Sequence, residues 1–281
     1  MTGEQQISAD PSATRGLPPV EEREWRHVVW DISDSGVMSI TMNRPERLNA
    51  LNYRLLREMH QLIQHARETQ EVRVVTLRGE GTRAFCSGDD LRGMEPEPGV
   101  DSSQTVHHPL LLALRDLPKP VVALIRGWAL GHGFELANAC DFRLGADNVE
   151  VGDHRVTRAI APNGGSTWFL PRIVGQARAL ELLMTGRHLY AEEALEWGWL
   201  NRVWPLDEFD QRAAEFVDTL AQLPTFTVGV FKSGLEYSVT HSLRDSLANE
   251  LELGVRNRET FDAQEGRASF LEKRSPTYLG A

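Results

Sequence analysis

A single carboxylate, Glu135, sits in the small and apolar run Phe134-Glu135-Leu136-Ala137-Asn138-Ala139-Cys140, directly after Gly131-His132-Gly133. A carboxylate surrounded by apolar side chains is held toward its protonated form, the property wanted of a general acid or base. A glycine-bracketed loop lets a ligand come close to the backbone, and the N–H groups at a helix start have no acceptor inside the helix. Donor amides and a tuned acid therefore fall within one helical turn of each other. Taken alone, these residues fit equally well a buried structural carboxylate paired with an arginine.

The elements that must position this pair are a strand before it and a helix through it. Lys119-Pro120 precede the apolar run Val121 to Ile125, bounded by Gly127, which is the pattern of a strand buried on both faces. A second junction of this kind lies upstream. Val72 to Leu77 reads as a strand closed by Gly79-Glu80-Gly81, and Ala84 to Leu91 is a small-residue turn before another possible helix. Two strand–turn–helix junctions can each present one backbone N–H to a shared point, the basis of oxyanion chemistry.

Around these junctions the spacing predicts a hairpin from Arg26–Ile32 through Asp34-Ser35-Gly36 to Val37–Met42. A loop from Asn43 leads to a helix starting near Leu51, with Leu55, Leu56, Met59, Leu62, Ile63 and Ala66 on one face. Met94 to Thr105 reads as a long mobile loop of the kind that is often functional. His107-His108 lead a helix over Pro109–Leu117, and Phe142–Leu144 and Val149–Val151 are short strands. Ser166 is a candidate cap for Thr167–Leu170. Helices then follow over Ala177–Met184, Ala191–Trp197, Leu206–Ala221, Val228–Tyr237 and Leu243 to about Phe261.

The 281 residues allow one or two domains with a substantial core. A formal charge of −10 argues against non-specific nucleic-acid binding. No run approaches the roughly 20 apolar residues of a membrane span, and the first twenty residues lack the apolar segment of a secretory signal. Two cysteines, Cys86 and Cys140, give neither a disulfide framework nor metal spacing. A cytoplasmic, reduced protein without a metal is expected.

RAFCSGDDLRGM and KPVVALIRGWALGHGFELANACDFRLGAD resemble the two signature segments of the crotonase, or enoyl-CoA hydratase/isomerase, superfamily. Asn43-Arg44-Pro45 with Leu48-Asn49-Ala50-Leu51 is similar to its N-terminal loop, and PNGGSTWFLPRIVG, LLMTGR and EGRASFLEKRSP to its later landmarks. The resemblance implies an α/β fold, a crotonase-like spiral of ββα units with a helical C-terminal region. Residues 1–22 would be a disordered tail, 23–205 the ββα core with the active site, and 206–281 a helical trimerisation region. It further implies an acyl-CoA thioester substrate, no separate cofactor, and a homotrimer or dimer of trimers.

Carried over residue by residue, the two oxyanion amides fall on Ser87 and His132, the latter standing where the family usually has glycine. The first catalytic acid falls on Glu135. The second falls on Arg155, which carries a permanent charge and cannot move a proton. Asp153 and His154 are the neighbours able to substitute, and a further family acid falls on Asn163. Arg155 is expected to pair with Glu135 or Asp153. Substrate or coenzyme A contacts are expected from Arg47, Leu48, Ser87, Gly88, Asp89, Asp90, Gly133 and Lys273. Asp141 is expected to pair with Arg143 or a backbone amide, and Trp128 and Phe134 to pack. The leading expectation is an enoyl-CoA hydratase/isomerase-like lyase working through a thioester enolate. The alternatives are a β-diketone C–C hydrolase using His132, Asp141 and His107 or His108, a decarboxylase keeping one acid, and a non-catalytic binding protein.

Overall fold

The computed structural model of the protein describes residues 19–91 and 107–280. The tail expected over 1–22 lies outside the described residues as far as residue 18, and the loop expected over Met94–Thr105 lies outside them altogether.

Four successive β-β-α units build the fold. They are β1 (Val28–Ile32), β2 (Val37–Met42) and α1 (Tyr53–Glu68); β3 (Val74–Gly79), β4 (Ala84–Cys86) and α2 (His107–Asp116); β5 (Val121–Ile125), β6 (Trp128–Leu130) and α3 (His132–Ala139); and β7 (Phe142–Ala146), β8 (Glu150–Gly152) and α4 (Ser166–Val174). Then come α5 (Gln176–Thr185), β9 (Leu189–Tyr190), α6 (Ala191–Glu196), β10 (Arg202–Trp204), α7 (Phe209–Ala221), α8 (Thr225–Ser238), α9 (Leu243–Arg258) and α10 (Phe261–Glu272).

The first strand of each later unit joins a six-stranded sheet of order β1-β2-β3-β5-β7-β10, and the second joins a four-stranded sheet of order β4-β6-β8-β9. Pairing is parallel except in the β1–β2 hairpin and between β8 and β9. The spiral follows from this alternation, because each unit lays its two strands beside those of the unit before.

Side-chain alternation along the strands feeds two cores. Val75, Leu77, Val121, Ala123 and Ile125 join a large cluster that includes Leu55, Leu62, Leu114, Phe134 and Trp199. Val74, Val122, Leu144 and Ala146 face the other way, against Phe209, Ala213, Val217 and Ala221 of α7. Hence β5 reads as a continuous apolar run: both its faces are covered.

The α1 helix begins at Tyr53, two residues later than its apolar spacing predicts. Leu51 is held by a bond from its N–H to the Gly88 carbonyl (2.8 Å), and the Asn52 side chain caps the Leu55 N–H at 2.9 Å. At the other end of the chain, α8, α9 and α10 leave Phe231, Leu235, Leu243, Leu247, Leu251 and Phe270 exposed. No helix among the described residues is long and apolar enough to cross a membrane.

Candidate active site

The parallel pairing of β4 with β6 brings the two expected turns together, since both strands end at the same edge. Gly88 has φ +100°, and a Cβ there would lie 3.0 Å from the Leu130 carbonyl and 3.7 Å from the His132 amide nitrogen. Glycine is required both for the left-handed backbone and for this approach. His132 opens α3, so its N–H belongs to the helix's first turn and has no intrahelical acceptor.

Ser87 does not take the role expected of its amide. Its N–H donates to the Leu48 carbonyl at 3.1 Å, and the Asp90 N–H donates to Leu51 at 2.8 Å. The loop from Asn43 to Leu51 is thus stitched onto the turn, and these amides are committed to it. Three residues from which ligand contacts are expected also make contacts within the protein. Leu48 supplies its carbonyl to Ser87, the Asp90 carboxylate pairs with Arg44 at 2.8 Å, and a Cβ on Gly133 would sit 2.2 Å from the Cys86 carbonyl. Gly133 therefore serves the close packing of α3 on β4.

Two braces escaped the sequence reading. Arg44 donates to the Ala50 carbonyl at 2.5 Å besides pairing with Asp90. Asn49 accepts from the Arg44 N–H and donates to the carbonyls of Glu80 and Ala84. Their signal was the family-like loop itself, whose polar residues have to satisfy backbone groups once buried.

Glu135 is wholly buried at 0% exposure. Its Oε1 accepts from the Gly164 N–H (3.0 Å), the Ser166 N–H (3.2 Å) and the Ser166 Oγ–H (2.9 Å), and pairs with Arg155 Nη2 at 2.7 Å. Ser166 is therefore not the cap of α4; Gly165 holds that position, with φ +88°, and Ser166 turns its hydroxyl onto the acid. Glu135 Oε2 makes no hydrogen bond and has His132 Nε2 at 3.3 Å. The turn at Gly164 closes the site, since a Cβ there would lie 2.1 Å from this oxygen.

Arg155 pairs with both carboxylates. Its Nε donates to Asp153 Oδ1 at 2.7 Å and its Nη2 to Asp153 Oδ2, while Nη1 donates to Asn163 Oδ1 at 2.9 Å. Burial pulls the Arg155 pKa down, but hydrogen bonds to Asp153 and Glu135 reverse this and hold it above the ordinary arginine value. Burial likewise raises the Asp153 carboxyl, yet the bonds and charge of Arg155, with Ser166, outweigh it and leave its pKa below normal. Asp153 also caps the short 3-10 helix His154–Arg158 through the Arg155 N–H. So fastened, Asp153 anchors Arg155.

His154 points elsewhere. Its ring lies 5.8 Å from that of His188, whose Nδ1 meets Glu150, and burial with nearby Arg158 lowers its pKa. The His132 imidazole enters the cluster: Nδ1 lies 2.6 Å from Asp89 Oδ2, so the Asp89 side chain is directed at His132. His108 reaches the same turn, with Nε2 2.6 Å from the Asn163 carbonyl; the His107 side chain is outside the described residues.

Asp141 is remote from this group. It pairs with Lys232 at 2.8 Å and accepts from the Val121 N–H, while Arg143 donates to the carbonyls of Trp199 and Cys140. Phe134 packs on Trp199 at 5.2 Å, whereas Trp128 is 40% exposed and donates to Glu150. Arg47 and Lys273 stand exposed at the surface. Burial pushes both thiols, Cys86 and Cys140, up to about 12, so they are inert at neutral pH. Among the described residues no group of three or more His, Cys, Asp or Glu could hold a metal ion.

The site thus offers an amide at a helix start beside a glycine turn, and behind it a buried acid tied to a cation and an imidazole. Comparison with known proteins places this arrangement. Residues 33–281 match the family described as Enoyl-CoA hydratase/isomerase. The 1,2-epoxyphenylacetyl-CoA isomerase of Escherichia coli (strain K12) is 34% identical over 253 residues, which cover 88% of this chain and 96% of that protein. Enoyl-CoA hydratase domain-containing protein 2, mitochondrial, of Mus musculus is 34% identical over 88% of this chain and 86% of its own length. The crystal structure of an enoyl-CoA hydratase from Bacillus anthracis superposes with a TM-score of 0.85 at 34% identity, covering 91% of this chain and all (100%) of that one. The chain is a member of the enoyl-CoA hydratase/isomerase family.

Proposed function

We propose that the protein is an enzyme of acyl-CoA thioesters, in which backbone amides hold the thioester carbonyl and stabilise the enolate formed beside it. The observation that carries this reading is the convergence of the two turns, with Gly88 packed against the His132 amide. One donor is the His132 N–H. The second donor is assigned to the turn that carries Gly88, which packs against the His132 amide. Donors fixed before the reaction stabilise a developing oxyanion without reorganisation, which is worth several kcal/mol per donor, roughly 3–4.

Within the family's chemistry, Arg155 in the second acid's place favours isomerisation, which takes and returns a proton, over addition of water. The β-diketone reading loses its acid, because Asp141 is bound to Lys232 and Val121. Coenzyme A would enter as part of the substrate, with Arg47 and Lys273 as candidate phosphate contacts. The apolar stripe Leu243, Leu247, Leu251 on α9, together with Phe231 and Leu235 on α8, suits burial against a second copy, so we assign a homotrimer or dimer of trimers. We place the protein in the cytoplasm on its two unlinked cysteines, although a mouse relative carries a mitochondrial name.

The test is turnover of crotonyl-CoA and of a 3-enoyl-CoA, followed at the conjugated-thioester absorbance. Conversion of the 3-enoyl thioester with little hydration of crotonyl-CoA is expected. Binding of both thioesters with no conversion of either would leave only a binding protein.

A further inference from the structure

Resting on that reading, with Glu135 as its acid, we propose that Ser166 is a positioning residue for the reaction: its hydroxyl holds the Glu135 carboxylate so that Oε1 is committed to the protein and Oε2 handles the proton.

The carboxylate needs holding. Rotation about the last bond of a glutamate side chain is broad and roughly two-fold, so the side chain by itself does not fix which oxygen points where. In this site the donors all fall on one oxygen. Oε1 accepts from the Gly164 N–H at 3.0 Å, the Ser166 N–H at 3.2 Å and the Ser166 Oγ–H at 2.9 Å, and meets Arg155 Nη2 at 2.7 Å. Oε2 has no hydrogen bond. A carboxylate oxygen offers about two lone pairs, so Oε1 has no room for a proton. Whatever proton Glu135 takes or gives passes through Oε2.

Ser166 is 0% exposed and opens α4 directly after Gly165, so its side chain is shut off from any ligand and acts on the reaction only through its neighbours. Its hydroxyl has one hydrogen and two carboxylates in reach, Glu135 Oε1 at 2.9 Å and Asp153 Oδ2 at 3.2 Å. The shorter contact takes that hydrogen to Glu135, while Arg155 meets both oxygens of Asp153. Ser166 thus closes a ring with Glu135, Arg155 and Asp153. The acid is gripped from the short helix His154–Arg158 and from the turn before α4 at once. Alanine would fit the same place with no polar group to satisfy; the bond to the acid accounts for a hydroxyl there.

Gly164 belongs to the same device. A Cβ there would lie 2.1 Å from Oε2, so glycine lets the turn donate its N–H to Oε1 without a side chain pressing on the other oxygen. In the reaction the substrate Cα–H bond breaks, its electron pair passes into the thioester enolate, and an O–H bond forms at Oε2. Isomerisation is completed when the same proton is delivered to the γ-carbon of the allylic enolate and the double bond moves into conjugation. No atom or electron is gained or lost overall. Proton transfer depends on a fixed geometry of the two atoms involved, so a carboxylate free to turn loses kcat and not binding.

The experiment is exchange of the α-protons of butyryl-CoA in D2O, read by mass spectrometry, alongside butyryl-CoA affinity by calorimetry and the melting temperature. The wild-type protein is expected to exchange. Ser166→Ala should slow exchange about tenfold while affinity stays within about threefold. Ser166→Thr, which keeps the hydroxyl, should exchange within about threefold of wild type. A residue that works through Glu135 has nothing to work on once the acid is gone, so adding Ser166→Ala to Glu135→Gln should change the residual exchange less than about twofold. A residue that only holds the fold would cost the same factor, about tenfold, in both backgrounds. Ser166→Cys, a weak donor of similar size, takes the place of the alanine variant if that does not fold. Exchange in Ser166→Ala within about twofold of wild type, a threonine variant as slow as the alanine one at unchanged melting temperature, or an equal loss in both backgrounds overturns the positioning role while leaving the enolate reading intact. A wild-type protein that binds butyryl-CoA but exchanges nothing overturns the enolate reading as well.

Discussion

Helix α3 has a buried cluster of charges at each end, and the two behave differently. At its C-terminal end, Asp141 and Lys232 pair with each other, and every other bond of this group goes to the backbone: Lys232 to the carbonyls of Leu114 and Lys119, Arg143 to those of Trp199 and Cys140, and Asp141 to the Val121 N–H. At its N-terminal end, Asp89, His132, Glu135, Arg155 and Asp153 are linked chiefly to one another. Charges committed to fixed main-chain groups hold a fold in place. Charges committed to other titratable side chains can change protonation together, and there one acceptor, Glu135 Oε2, is left over. Each cluster presents as isolated charges in apolar sequence; the type of partner separates structure from chemistry.

The sharpest way to break this contrast is to remove one charge from each cluster and follow activity. Glu135→Gln should lower kcat at least about 100-fold, whereas Asp141→Asn should leave it within about threefold. Equal losses in steady-state kinetics would erase the distinction.

Stability should run with the number of charges stranded. Arg155→Met leaves two buried carboxylates without their cation and should cost about 3–5 kcal/mol in urea unfolding. Lys232→Met strands only Asp141, which keeps the Val121 N–H, and should cost less than Arg155→Met. A reversed order would mean that the active-site pair contributes less to folding than the backbone-bound one.

The pH dependence separates the clusters at opposite ends of the scale. Asp153 has its pKa depressed from the ordinary 3.8 by Arg155 against the effect of burial. Its contribution is complete above that value and disappears as the pH falls through the depressed one, so Asp153→Asn should flatten the acid limb of stability. Lys232 has its pKa lowered from 10.5 by burial, against the pull of Asp141. The unfolded chain binds the extra proton there, so its part of the stability rises with pH between the lowered value and 10.5, and Lys232→Met should remove that rise. Both are read from urea midpoints across pH.

The smallest effect is expected at the rim. Arg47→Ala or Lys273→Ala should raise KM for acyl-CoA two- to fivefold or so, with a shallower salt dependence, because exposed cations contribute little to binding in water.

Several features were legible in one dimension. Apolar runs bounded by glycine and proline marked β2 and β5 to the residue, and the 3.6-residue spacing marked α1 and α7. The glycines around His132 and the signature segments pointed to family and fold, and the lone acid in α3 to the site. Element ends were less clear, as at Leu51, whose N–H donates to the carbonyl of Gly88, 37 positions away, and so stays outside the helix. α10 was missed because its buried residues, Asp262 and Ser269, are polar.

What the sequence determined alone is therefore local: which segments are strand or helix, where the backbone must bend, and which titratable residues lie in apolar surroundings. Periodicity and glycine placement act over a few residues and leave their mark there. Which amides of the Ser87–Asp90 turn are committed, that Ser166 bonds to Glu135 instead of capping its helix, and that Asp89 meets His132 were decided only in three dimensions. The pairing of β4 with β6 and the docking of the 153–166 segment onto α3 bring together groups 29 to 43 positions apart, and no spacing rule reaches that far.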